Sequence, residues 1–231
     1  MEERDPRLPS CASCNQEPRK KVCYTEDGVG SNGCPTLLYK EVLAEASEEY
    51  GLSEVREFAR QSSIQEAHGY ANRNKRPYII QPTKTRMEEI CEFAQRMGYK
   101  LLGLAFCVGL FTEARIVEEI LRDRGFDVVS VICKAGRVPK EVIGVKDDEK
   151  VYQGTDESMC NPIYQAKLLN YKQTEFNILL GLCVGHDSLF FKYAQAPTTV
   201  LGVKDRVTGH NPLAAIYLSE SYYRKIKRAD L

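Results

Sequence analysis

Four short apolar runs in the second half of the chain constrain its fold more than any other feature. Residues 101–107, 127–133, 176–183 and 198–203 are dominated by Leu, Ile, Val and Phe and carry almost no charge. Runs of this length suit strands buried on both faces, which are found in parallel sheets. Helical segments separate them. Residues 112–124 are amphipathic and end at Gly125, 161–172 open on Asn161-Pro162, 187–194 follow the third run, and 212–227 follow the fourth. Strands alternating with helices predict an α/β layer fold on a parallel sheet. The polar stretch 134–159 reads as irregular, with a short strand expected near 142–145.

The runs also echo one another. Gly103-Leu104-Ala105-Phe106-Cys107-Val108-Gly109 parallels Leu180-Gly181-Leu182-Cys183-Val184-Gly185, each a strand ending in Cys-Val-Gly ahead of a helix. Two buried strands of one fold can resemble each other by composition alone; read as a true repeat, the echo makes residues 99–231 two βαβ halves. Right-handed crossovers then give a doubly wound, Rossmann-like sheet of order 2-1-3-4. Ligands of such sheets sit outside the carboxyl ends of the strands, where the order reverses. Cys107 and Cys183 end the two central strands, Cys133 ends the neighbouring strand, and Cys160 stands at the mouth of the helix beginning Asn161-Pro162. Four cysteines far apart in sequence are thereby expected at one crevice.

The first part of the chain is of another kind. Residues 1–35 hold three prolines before Pro35, several glycines and the set Cys11-x2-Cys14-x8-Cys23-x10-Cys34, with no helical or strand period. Such a segment needs a staple, and four thiolates suit tetrahedral zinc or an iron–sulfur cluster. Residues 36–98 read as helices: one after Pro35, one capped by Ser53, and one from about 83 to 97 on which Cys91 falls in the apolar stripe as a packing residue. The predicted organisation is thus a four-cysteine metal module (1–35), a helical segment (36–98) and the α/β domain (99–231).

Composition narrows the function classes. The 231 residues carry 32 Lys+Arg against 32 Asp+Glu, a formal net charge of zero. That removes the electrostatic case for nucleic acid or an anionic membrane as partner. Nine cysteines leave one over from any closed set of disulfides. Residues 1–10 show no apolar secretory core and no run is long enough to span a bilayer, so a cytoplasmic location is expected, where cysteines more often bind metal. No phosphate-binding G-x-x-x-x-G-K-[ST], no dinucleotide G-x-G-x-x-G after a strand, and no H-E-x-x-H or G-x-S-x-G motif is present.

Polar residues gather at the expected crevice: His186 and Asp187 after the third strand, Lys204, Asp205, Arg206, His210 and Asn211 after the fourth, Lys134 and Arg137 after the second. His186, Asp187 and Lys204 are the candidates for acid–base or substrate-binding roles, and Lys204 or Arg206 for holding an anion. Asp187 and Asn211 would equally serve as helix caps. Cys107, Cys133, Cys160 and Cys183 are the candidate ligands of a second centre, a 4Fe-4S cluster; plain packing is the competing reading for buried cysteines.

Cys11, Cys14, Cys23 and Cys34-Pro35, the stretch Gly181-Leu182-Cys183-Val184-Gly185-His186-Asp187, and Lys204-Asp205-Arg206 followed by Gly209-His210-Asn211-Pro212 together resemble an uncharacterised domain-of-unknown-function family of prokaryotic four-cysteine metal-binding proteins. The resemblance covers nearly the whole chain. It implies metal binding through the four N-terminal cysteines and no established activity. The second half is also similar in layout to α/β enzymes that hold a four-iron cluster at strand ends, sulfur-removing ones among them. The expected function is a metal-binding, iron–sulfur protein with redox or sulfur-transfer chemistry on a small molecule or a redox partner. The alternative is a zinc-stabilised binding or sensor protein without catalysis.

Overall fold

A computed structural model describes residues 8–228. The chain divides at Glu66/Ala67 into two compact units.

The first unit opens with irregular backbone. Short 3-10 turns at Cys11–Ser13 and Pro18–Lys20 and a single bridge between Lys21 and Val29 are the regular structure of its cysteine segment. Helix α1 (Pro35–Leu38) has Pro35 at its first position, where a missing N–H costs nothing. Helices α2 (Lys40–Glu49) and α3 (Ser53–His68) follow. Their apolar residues are largely in the open: Leu37, Leu38, Val42 and Leu43 all stand exposed.

The second unit holds the sheet. Helix α4 (Arg86–Arg96) starts on a capping box, in which Thr85 Oγ1 accepts from the Glu88 N–H and the Glu88 carboxylate accepts from the Thr85 N–H. Strand β1 (Leu101–Phe106), α5 (Phe111–Asp123), β2 (Asp127–Ile132), α6 (Pro162–Tyr171), β3 (Phe176–Leu180), α7 (His186–Tyr193), β4 (Thr198–Gly202) and α8 (Pro212–Tyr217) alternate along the chain. All three strand pairings are parallel, in the order β2-β1-β3-β4. This is the doubly wound α/β topology expected from the four apolar runs.

Strand periodicity assigns the faces. Ala105, Cys107, Val131, Cys133 and Leu179 share one core cluster with Ala166 and Leu169 of α6 and Phe190 of α7. Alternate residues look the other way, where Phe176 meets Phe93 of α4 at 5.5 Å between ring centroids and Phe106 meets Phe111 of α5 at 6.2 Å. Cys91 is 1% exposed, the packing residue its stripe predicts.

Two local expectations are corrected. Residues 140–143 form a 3-10 turn rather than a strand, because the loop is knotted around charge. Lys140 Nζ meets the buried Glu157 carboxylate at 2.9 Å, and that carboxylate also accepts the Val151 and Tyr152 N–H groups. The last helix stops at Tyr217 and resumes only as a 3-10 turn at Arg224–Lys227. Leu213, Ile216 and Tyr217 are exposed, and a helix with no buried face has little to extend it.

Candidate functional site

The ends of the central strands are fixed by the sheet itself. The ladder runs one residue past each strand: the Cys107 N–H donates to Leu180 O of β3 (3.1 Å) and the Cys133 N–H to Phe106 O of β1 (2.9 Å). The Asn161 N–H donates to Cys133 O (2.8 Å), which brings Cys160 beside the end of β2, and the Asn161 side chain caps α6 through the Tyr164 N–H. His186 opens α7, and its N–H donates to Cys183 O at 3.0 Å.

The sulfurs meet in a row. Cys133 is within hydrogen-bonding reach of both Cys107 and Cys160, and Cys160 is within reach of His186. Cys133 is 1% exposed and Cys107 is buried, while Cys160 is half-buried. The Val108 N–H donates to Cys133 Sγ at 3.3 Å. The Cys107 thiol is held well below its ordinary range, first by Cys133, then by the Gly109 N–H and Lys204 against the opposing effect of burial. The Cys160 thiol is lowered first by Cys133 and then by His186, with Lys134 adding to the effect. Cys133 is pushed up by both neighbours and by burial, so it is the thiol that donates between two thiolates. His186 is raised, chiefly by Cys160, so each partner favours the charged form of the other.

Two further cations come from the loop after β4. A Cβ at Gly109 would stand 3.5 Å from Lys204 Nζ and 4.0 Å from Cys107 Sγ, which places the ammonium beside that sulfur. Arg206 Nη2 donates to Cys183 Sγ at 3.1 Å, and Cys107 and Cys160 both act on its charge. The loop is closed on itself. The His210 N–H donates to Asp205 O (2.7 Å), the Asp205 N–H to His210 Nδ1 (3.2 Å), and Asp205 Oδ1 accepts from Val207 and Thr208. Asp205 and His210 therefore shape the loop rather than face the sulfurs. Asp187 is not brought to them either: its Oδ1 accepts from the Ser188 N–H at 2.8 Å. Asn211 precedes α8 with no side-chain capping bond. Arg137 pairs with Asp156 at 2.8 Å.

One residue of the site was not anticipated. Gln165, fully buried in α6, donates from Nε2 to Val131 O (2.8 Å) and Phe106 O (3.2 Å), which ties together the ends of β1 and β2 that carry Cys107 and Cys133. Its signal in the sequence is a polar residue inside the apolar stripe formed by Ala166 and Leu169.

In the first unit, Cys11, Cys14, Cys23 and Cys34 all line one pocket with Ser31 and Gly30. The Cys14 thiol is lowered first by the Gln16 N–H, then by Ser31, with Lys21 nearby. A Cβ at Gly30 would lie 2.9 Å from Cys34 Sγ, so only glycine leaves that sulfur its place. All nine cysteines are free thiols. Among the described residues, no three or more His, Cys, Asp or Glu side chains stand in ligating geometry for a metal ion. The donor chemistry of the pocket fits a metal all the same: four soft thiols, that of Cys14 lowered, on loops around one space.

The profile of a family described as "Protein of unknown function (DUF1847)" matches residues 34–201. The chain belongs to the DUF1847 family. Uncharacterized protein MJ0455 of Methanocaldococcus jannaschii is 43% identical over 215 residues, 93% of this chain and 96% of that protein. The DUF1847 match takes in all four strands up to Leu201, the sulfur row and His186, and it starts at Cys34. Cys11, Cys14 and Cys23 lie before it, and Lys204 and Arg206 after it. Among the described residues, no helix is long and apolar enough to cross a membrane.

Proposed function

We propose that this protein is a metal-binding protein whose chemistry, redox or sulfur transfer, is carried out by the strand-end thiols Cys107, Cys133 and Cys160. The observation that carries the reading is the row Cys107–Cys133–Cys160–His186 at the carboxyl edge of the sheet, with Lys204 and Arg206 beside it. Cysteines that merely pack need no cations and no N–H donors aimed at sulfur; these have both. Thiols this close suit exchange between sulfurs, and the thiolate form is the nucleophile.

The metal is assigned to Cys11, Cys14, Cys23 and Cys34, as zinc or an iron–sulfur cluster. The N–H groups of Val108 and Gly109 and the flanking cations also favour a second reading, a 4Fe-4S cluster on the strand-end sulfurs. Each cysteine would then ligate a separate iron, and the row would have to open.

Anaerobic purification with iron, zinc and acid-labile sulfide counted per chain separates these readings, when run on the wild type, Cys14→Ser and Cys133→Ser. Metal lost with Cys14→Ser and kept with Cys133→Ser, with no sulfide, supports the proposal with zinc. Iron and sulfide lost with Cys133→Ser establishes the strand-end cluster instead. A neutral aromatic disulfide then probes the thiols. Strand-end thiols as inert as Cys91 would leave a zinc-stabilised binding or sensor protein without catalysis.

A further inference from the structure

We propose that the strand-end site accepts a small, doubly charged sulfane-sulfur anion of the thiosulfate class, with Cys160 as the attacking sulfur and Arg206 and Lys204 holding the anionic end. This inference rests on the thiol-chemistry reading above and names its substrate class.

Accessibility selects the attacking sulfur. Cys133 is sealed at 1% and Cys107 at 6% exposure, while Cys160 and Cys183 are half-buried. Cys183 Sγ already accepts from Arg206 Nη2, which leaves Cys160, beside His186, as the attacking sulfur.

Charge selects the partner. The loop after β4 delivers two cations to the site, while its own carboxylate, Asp205, accepts the Val207 and Thr208 N–H groups with Oδ1. Arg206 is exposed to solvent although its Nη2 reaches Cys183 Sγ, so its remaining donors are open to a ligand. Lys204 Nζ sits beside Cys107 across the Gly109 turn. A guanidinium and an ammonium on one rim fit an oxyanion group, and Arg binds such groups with paired donors. A neutral disulfide or a cationic substrate would leave both unmatched.

The chemistry balances without an added oxidant or reductant. The Cys160 thiolate attacks the outer sulfur of the donor, a new S–S bond forms, and the donor's own S–S bond breaks with its electron pair leaving on sulfite. The persulfide then passes its outer sulfur to an external low-molecular-weight thiol: that thiol's sulfur forms the new bond, the Cys160 sulfur leaves with the electron pair, and the proton goes to the persulfide product.

The test uses the full chain and thiosulfate. The reduced protein is incubated with thiosulfate, sulfite release is measured, and peptide mass spectrometry locates the added sulfur atom. Turnover with a small thiol is followed in parallel. The expected result is one sulfur on Cys160, none on Cys160→Ser, and a KM for thiosulfate raised about tenfold by Arg206→Gln, the loss of one charge-assisted contact. Arg206 is at the surface, so this variant keeps the fold if Cys160→Ser does not. Thiols that react fast with a neutral disulfide but take no sulfur from thiosulfate would overturn this inference and leave the thiol-chemistry reading standing. Thiols inert to both would overturn the two together. Sulfur found on Cys107 or Cys183, or a KM unmoved by Arg206→Gln, also contradicts it.

Discussion

A cysteine at the end of a buried strand is by itself a packing residue; what changes its meaning is the company it keeps. Cys91 and Cys160 show the contrast within one molecule. Burial is the first cause that raises the Cys91 thiol, with Arg124, Glu92 and Glu88 acting on it only as charges, whereas Cys160 has the Cys133 thiol on one side and His186 on the other, and its thiol is brought down to about 4. The sign is direct: the thiolate reacts, so reactivity is present above the folded value and lost as pH falls through it. An ordinary thiol loses its reactivity below about 8.5. His186→Ala removes the imidazolium and should move the midpoint of Cys160 alkylation upward, measured as rate against pH; an unchanged midpoint would take His186 out of the account. Gln165 acts at the same scale through position. Gln165→Leu withdraws both donated bonds from buried carbonyls and should cost about 1–3 kcal/mol in denaturant unfolding. Sequence reasoning reached the cysteines, His186 and Lys204 because they follow strand ends. It set Asp187 beside them, but the turn at Gly185 points that carboxylate along the chain to Ser188. Gln165 escaped because its partners are main-chain carbonyls of other strands, which no local pattern announces.

Among the elements, the central strands β1 and β3 were the most legible, since a run buried on both faces leaves its mark in every residue; the edge strands β2 and β4 are only partly buried. β1 shows how tightly such a strand is fitted. A Cβ at Gly103 would overlap Asn177 Oδ1 and lie 2.8 Å from Leu169 Cδ1. Gly103→Ala should therefore destabilise the sheet by about 1–3 kcal/mol, the usual cost of overpacking, read from thermal or denaturant unfolding. Helix starts were legible where a cap exists. Thr85→Ala removes the side-chain half of the capping box on α4, the Oγ1 that accepts the Glu88 N–H, and should cost about 1 kcal/mol. Elements held by long-range charge were not legible. Residues 140–143 carry the Val and Ile of a strand, but Glu157, far along the loop, gathers Lys140 and two backbone N–H groups and turns the segment. The last helix shows the reverse failure: its sequence is permissive, and nothing packs against Leu213 or Ile216 to carry it past Tyr217.

At the scale of the molecule, two kinds of sulfur site sit in two separately compact units. The N-terminal four line a pocket between loops that have little regular structure to hold them. With the metal proposed for them bound, a chelator should loosen that unit, as seen by proteolysis within residues 8–34, while the sheet of the second unit keeps its far-ultraviolet signal. Loss of the whole fold on chelation would contradict that division. The ladder bonds of Cys107 and Cys133 to neighbouring strands hold the strand-end row in place. The central claim is that this row is a reactive centre. Its most direct test is the rate of alkylation of each cysteine by a neutral reagent in the intact reduced protein, resolved by peptide mass spectrometry between about pH 5 and 8. The account predicts that Cys160 reacts throughout that range, nearly independent of pH, while Cys91 stays silent. A Cys160 rate that falls with pH like that of a free thiol, or one no greater than that of Cys91, would contradict it.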